Sequence, residues 1–178
     1  MVVVGGQCRG VGKTSLLCWL LRETPEIGWT ALKMSRHRHG APDATARLDE
    51  ELDRDGDGDT SRFLRAGARR AFWLRAPGGM GEVPGLIQPL LSAAPLLVES
   101  NSIVEICQPD LYCLILDPAF ADFKDSARRL GGRAAALITP NPDLEPLRPH
   151  QQVWRLEPGY RCSDLRNAVT RGRSASPA

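Results

Sequence analysis

Residues 5–15 read Gly5-Gly6-Gln7-Cys8-Arg9-Gly10-Val11-Gly12-Lys13-Thr14-Ser15. The apolar run Val2-Val3-Val4 precedes them, and Leu16, Leu17, Leu20 and Leu21 come after them on one side of a helical spacing. A strand, a glycine-rich turn and a helix, in that order, form the context that a phosphate loop requires. Glycines let successive backbone N–H groups curl around a phosphate, and the helix N-terminus adds partial positive charge. In such a loop Gly10, Val11 and Gly12 supply backbone. Lys13 reaches the β- and γ-phosphates, Thr14 offers its hydroxyl to Mg²⁺, and Ser15 touches the α-phosphate. One position departs from the pattern G-x-x-x-x-G-K-[ST]: the first glycine falls on Gln7, and Gly6 stands one residue early. Either the loop begins a residue sooner or Gln7 adopts a conformation that it tolerates.

Outward from the loop, short apolar runs alternate with helical patterns. Strands are expected at Thr30–Met34, Ala71–Leu74, Leu96–Val98, Leu111–Leu116 and Ala134–Ile138, and helices at Thr14–Arg22, Thr60–Ala68, Pro84–Ser92 and Ala121–Leu130. Thr60 reads as an N-cap. Ser35–Asp59 reads as a long polar loop with a short helix near Ala44–Leu52. Unbroken apolar strands alternating with helices imply a parallel sheet covered on both faces. The fold class is therefore α/β, a P-loop NTPase-type three-layer fold with a mostly parallel sheet flanked by helices. Residues 1–140 form the nucleotide-binding domain in this reading. Residues 141–178 form a C-terminal extension packed on or trailing from the same domain, with a strand at Gln152–Leu156, a helix at Ser163–Thr170 and a frayed end.

A phosphate loop needs a carboxylate at the end of a neighbouring strand to hold the Mg²⁺ shell. Glu99, closing Leu96-Leu97-Val98, is the favoured residue; Asp59, ahead of the Thr60 helix, is the second; Asp117, before a proline, reads equally as a turn former. Asn141, after the last buried strand, could meet a nucleobase or simply form a turn. Arg62, Arg65 and Arg69 fall on one helix face, read first as solvated and second as an anion- or partner-binding face. Asp53-Arg54-Asp55-Gly56-Asp57-Gly58 opens like a calcium loop, but its twelfth position is Leu64 instead of Glu, so calcium is set aside. His37 and His39, with Arg36 and Arg38, suit plain solvated charge or a basic loop facing a phosphate or anionic substrate better than a metal site.

Composition bounds the rest. The 178 residues are 42% apolar, enough for a buried core, and Lys plus Arg at 23 against Asp plus Glu at 21 leaves +2, no footprint of a general nucleic-acid binder. The 5 cysteines are scattered without C-x-x-C spacing and read as reduced thiols of a cytoplasmic protein. No apolar run approaches the ~18 residues of a membrane span, and the N-terminus lacks the basic and long apolar regions of a signal peptide.

Three segments in this order resemble the molybdopterin-guanine dinucleotide biosynthesis protein B family of GTP-binding proteins. They are the phosphate loop with Lys13 and Thr14, the strand end Ala31-Leu32-Lys33 with Arg36-His37-Arg38-His39, and Asp59-Thr60-Ser61-Arg62-Phe63-Leu64-Arg65-Ala66-Gly67-Ala68. Glu99 matches the Glu of the family's Val-Glu-Gly segment, although Ser100 and Asn101 replace the Gly and its successor, and Gln7 and Met34 also depart. The likeness spans residues 1–140 and implies a Mg²⁺-dependent slow GTPase. Such a protein is usually a homodimer and assists a partner nucleotidyltransferase that attaches GMP to molybdopterin. Lys13, Glu99 and Asp59 would carry catalysis, and Thr14, Glu99 and Asp59 the metal. No N-K-x-D motif fixes guanine over adenine. No arginine finger is obvious; Arg36, Arg38 or Arg62 could serve, in cis or across a dimer. Two other readings stand beside this one: a small-molecule kinase, and a non-catalytic adaptor whose nucleotide only sets a conformation.

Overall fold

The computed structural model describes residues 1–36, 45–141 and 143–174. Its centre is β1 (Val2–Gly6), buried at every position. The other strands are β2 (Thr30–Ser35), β3 (Arg47–Glu51), β4 (Arg70–Arg75), β5 (Leu96–Glu99), β6 (Leu111–Ile115), β7 (Ala136–Thr139) and β8 (Gln152–Arg155). They form one sheet in the order β3-β4-β2-β5-β1-β6-β7-β8. All neighbours pair in parallel except β3 with β4, which is antiparallel.

Successive side chains on β1 face opposite ways, so Val2 and Val4 enter one core and Val3 the other. Helix α1 (Lys13–Glu23), α2 (Asp59–Arg65) and α5 (Ser163–Ser174) cover the first core through Leu16, Leu20, Phe63 and Leu165. Helix α3 (Val83–Ala93), the 3-10 turn Ser102–Glu105 and α4 (Asp125–Leu130) cover the second through Ile87, Ile103 and Leu130. Helices on both faces of a mostly parallel sheet make the three-layer α/β P-loop arrangement.

Three local expectations need correction. The stretch expected to hold a helix near Ala44–Leu52 instead forms β3, within its described residues. The charged alternation that blurred its pattern is what pins it as an edge strand. Glu50 accepts from Arg70 at 2.6 Å through each carboxylate oxygen, and Asp49 pairs with Arg75 across the ladder. Helix α2 begins at Asp59, not Thr60, because the Thr60 hydroxyl donates to Glu51 Oε2 at 2.8 Å instead of capping. Helix α4 is shorter than Ala121–Leu130, since residues 120–124 wrap around Gln7.

Among the described residues no helix is long and apolar enough to cross a membrane. The 5 cysteines are free thiols.

Candidate functional site

The parallel strands deliver their carboxyl ends to one edge of the sheet, the edge where α/β proteins place ligands. β1 leads into the glycine loop there, β2 brings Lys33, β5 brings Glu99, and α2 opens with Asp59 nearby.

The loop itself is shaped by two left-handed glycines, Gly10 at φ 82° and Gly12 at φ 97°. Gly12 starts α1, whose first turn carries no side-chain cap and no acidic residue. Its leading N–H groups are therefore left for an anion. Gly6 sits against the loop so closely that a Cβ would lie 2.6 Å from Val11 Cγ1. Asn101 clamps Gly6 from behind: its Oδ1 accepts the Gly6 N–H at 2.7 Å and its Nδ2 donates to the Gly6 carbonyl at 3.0 Å.

Gln7 occupies the position of the first motif glycine without entering the loop's interior. Its side chain is buried and turned towards the chain after β6. Nε2 donates to the carbonyls of Phe120 at 2.7 Å and Asp122 at 3.1 Å, and Oε1 accepts the Asp117 N–H at 3.0 Å. Of the two options left open by the sequence, the second describes the structure: Gln7 takes a conformation that it tolerates.

The Thr14 hydroxyl donates to Glu99 Oε2 at 2.7 Å. Glu99 is 6% exposed, and Val4 of β1 and Lys33 of β2 flank it in register. Lys33 Nζ pairs with Asp59 and lies 3.7 Å from Glu99 Oε1, so one ammonium links the two carboxylates. Asp59 also pairs with Arg62 Nη1 at 3.3 Å, and Arg62 Nη2 donates to Ser15 Oγ at 3.3 Å. A continuous polar chain thus runs from Thr14 through Glu99, Lys33, Asp59 and Arg62 to Ser15. The Lys13 ammonium folds back onto the Cys8 carbonyl at 2.7 Å. Burial pushes its pKa below the ordinary lysine range, against the opposing pull of Glu99.

A cavity of about 370 Å³ opens beside this chain, lined by Ser15, Cys18, Arg22, Arg62, Arg65 and Tyr160 among others. Tyr160, on the turn between β8 and α5, has φ 58°, the one positive value outside glycine among the described residues. Its ring lies where a Cβ on Gly12 would come within 2.0 Å of Cε1. Nothing in its sequence context marked Tyr160, and Lys33 was visible only as part of a resemblance.

The remaining sequence candidates separate. Asp117 Oδ1 accepts the Ala119 N–H at 2.9 Å, a turn role. Asn141 comes after β7 at the same edge of the sheet, and its Oδ1 accepts the Asp143 N–H at 3.1 Å in an Asx turn. Arg69 lies beyond α2, beside Gly28, so the expected arginine face reduces to Arg62 and Arg65. Arg65 Nη1 donates to the Gly56 carbonyl at 2.7 Å. Leu64, at the twelfth position of the calcium-like stretch, is buried in the core. Arg36 pairs with Glu105 at 3.6 Å. His37, Arg38 and His39 lie outside the described residues.

Among the described residues, no group of three or more His, Cys, Asp or Glu side chains could hold a metal ion. The hydroxyl and carboxylate oxygens of Thr14, Glu99 and Asp59 nonetheless fit Mg²⁺. That ion is bound through one or two carboxylates, retained waters and substrate phosphates, not by an all-protein cage. The Lys33 ammonium lies against both carboxylates.

No family model and no curated protein matches the chain. Among solved structures it is similar to LpxK from Aquifex aeolicus in complex with ATP, at 14% identity and TM-score 0.50, over 87% of this chain and 53% of LpxK. It is also similar to HypB from Helicobacter pylori in complex with nickel, at 13% identity and TM-score 0.57, over 98% of this chain and 87% of HypB. The chain therefore spans about half the length of LpxK, at 53%. At such identities the likeness concerns architecture, and with the glycine loop it gives the chain the fold of a P-loop nucleotide-binding protein.

Proposed function

We propose that the chain is a Mg²⁺-dependent GTP-binding protein with slow hydrolysis. The observation that carries the nucleotide and metal reading is the Thr14 hydroxyl bonded to buried Glu99 at the mouth of an uncapped helix. Gly10, Val11 and Gly12 would present backbone N–H groups to the β-phosphate, Lys13 would leave the Cys8 carbonyl for the β- and γ-phosphates, and Ser15 would meet the α-phosphate. Thr14, with Glu99 and Asp59, would hold Mg²⁺, which supplies charge neutralisation at the phosphates. Asn141, at the same sheet edge, is the residue proposed for the base. Slow turnover is expected from the engagement of Arg62, the one described candidate for an arginine finger on α2, with Asp59 and Ser15.

Preference for GTP over ATP rests on the resemblance to the molybdopterin-guanine dinucleotide biosynthesis protein B family. So do the homodimer, a cytoplasmic setting and a partner nucleotidyltransferase that attaches GMP to molybdopterin. A second reading, a small-molecule kinase, is favoured by the cavity lined by Arg22, Arg62 and Arg65 next to Ser15, which suits an anionic acceptor. The similarity to LpxK, a structure with bound ATP, points the same way.

Titration with labelled GTP and ATP, with and without Mg²⁺, tests these readings. Mg²⁺-dependent binding of GTP that vanishes in K13M is the expected result. Preference for ATP, with nucleoside diphosphate (ADP) formed only when an acceptor is added, selects the kinase. Failure of both nucleotides to bind overturns the proposal.

A further inference from the structure

We infer that Lys33 is a built-in counter-ion for the acidic pair: it holds Asp59 and Glu99 together in the nucleotide-free protein and yields its place when a divalent cation binds. The inference rests on the metal roles proposed above for Asp59 and Glu99. Its geometry is set by the backbone, because Lys33 of β2 is the register partner of Glu99 on β5. The ammonium touches Asp59 and lies 3.7 Å from Glu99 Oε1, while the other Glu99 oxygen takes the Thr14 hydroxyl.

Two carboxylates from different elements converge here, one of them buried. Without a cation between them their repulsion would raise the cost of keeping both ionised. Lys33 removes one of the two negative charges. A divalent ion removes both, so a metal arriving with nucleotide phosphates out-competes the ammonium electrostatically. The ammonium and the metal cannot share the same carboxylate oxygens. A lysine suits this exchange better than an arginine, since its charge is a compact point on a flexible stem with no planar fork to hold it in place. Displaced, the Lys33 ammonium would remain at the end of β2 beside the phosphates, as an additional positive charge.

The test uses Mn²⁺ alone as the probe, with the full chain and no nucleotide, and reads free Mn²⁺ by electron paramagnetic resonance. K33M should bind Mn²⁺ about tenfold or more tightly than wild type, the change expected on removing a unit positive charge a few ångström from the site. K33R, whose planar fork grips the carboxylates, should bind Mn²⁺ no more tightly than wild type, and K33M/D59N should lose the gain. K33Q is a second charge-free variant in case K33M folds poorly, with thermal melts reporting folding for each. K33M and K33Q binding no tighter than wild type would overturn the inference. Nucleotide binding to the wild type is measured in parallel. Normal nucleotide binding with no gain in the variants sinks the counter-ion alone. A gain in the variants without nucleotide binding keeps the counter-ion and sinks the nucleotide reading.

Discussion

Gln7 shows how a residue that breaks a motif can be required by the structure around it. Measured against the phosphate-loop pattern, glycine is the expected occupant. Measured against the fold, the Gln7 carboxamide satisfies the carbonyls of Phe120 and Asp122 and the N–H of Asp117 in a largely dry environment. Replacing Gln7 with Gly restores the motif and strips those partners. Leaving a buried polar group unpaired costs about 1–3 kcal/mol, so Q7G should melt lower by several degrees, ~2–4 °C per kcal/mol at this size. Calorimetry of the two proteins checks it; a Q7G variant as stable as wild type would mean that the Gln7 side-chain hydrogen bonds add nothing to stability. The sequence could name Lys13, Thr14 and Glu99 because each obeys a local cue, a loop or a strand end. It could not place Lys33 against Asp59 and Glu99, because that meeting depends on β2 lying beside β5, a register no local pattern records.

At the scale of elements, the apolar strands and the longer helices were legible because burial on both faces leaves continuous hydrophobic runs. β3 was not, since its residues are held by ion pairs with a strand 20 or more positions away, not by apolar periodicity. Those pairs make β3 sensitive to acid. Burial pushes the Asp49 carboxyl up, but Arg75 and Arg47 outweigh it and hold it below the ordinary 3.8. Arg70 holds Glu50 below 4.5, and hydrogen bonds from the Thr60 hydroxyl and the Asp53 N–H do the same for Glu51. Carboxyls with lowered folded values add stability that is fully present above their unfolded values and is lost as pH falls through the folded ones. Amide exchange at residues 47–51, corrected for its intrinsic rate, should accelerate once pH drops below about 4, while β1 amides stay protected. Because both partners of each pair are partly exposed, added salt should move β3 in the same direction. Acid that opened β1 and β3 together would show that the edge strand has no separate weakness.

For the molecule as a whole, the informative part is the C-terminal extension, residues 141–178, which the sequence left either packed on the nucleotide-binding domain or trailing from it. β8 joins the sheet beside β7, and Gln151 secures the approach by donating to the carbonyls of Gly131 at 2.8 Å and Ala134 at 2.9 Å. Leu156, Cys162, Leu165 and Val169 then enter the same core as Leu16, Leu17 and Leu20 of α1. The Tyr160 ring, meanwhile, lies against Gly12 of the glycine loop. The C-terminal strand and helix thus share a core with the helix whose N-terminus forms the candidate phosphate site. Loosening α5 should therefore reach the loop. Leu165 is fully buried, and a Leu→Ala change at such a site costs about 2–5 kcal/mol. L165A should lower the melting temperature by about 5–15 °C. It should also raise amide exchange in α1 along with α5, because one core loses packing on both sides of the gap. An L165A protein that loosens α5 while α1 exchanges as in wild type would show that the two helices are stabilised independently, and that the extension adds its strand and helix without supporting the loop.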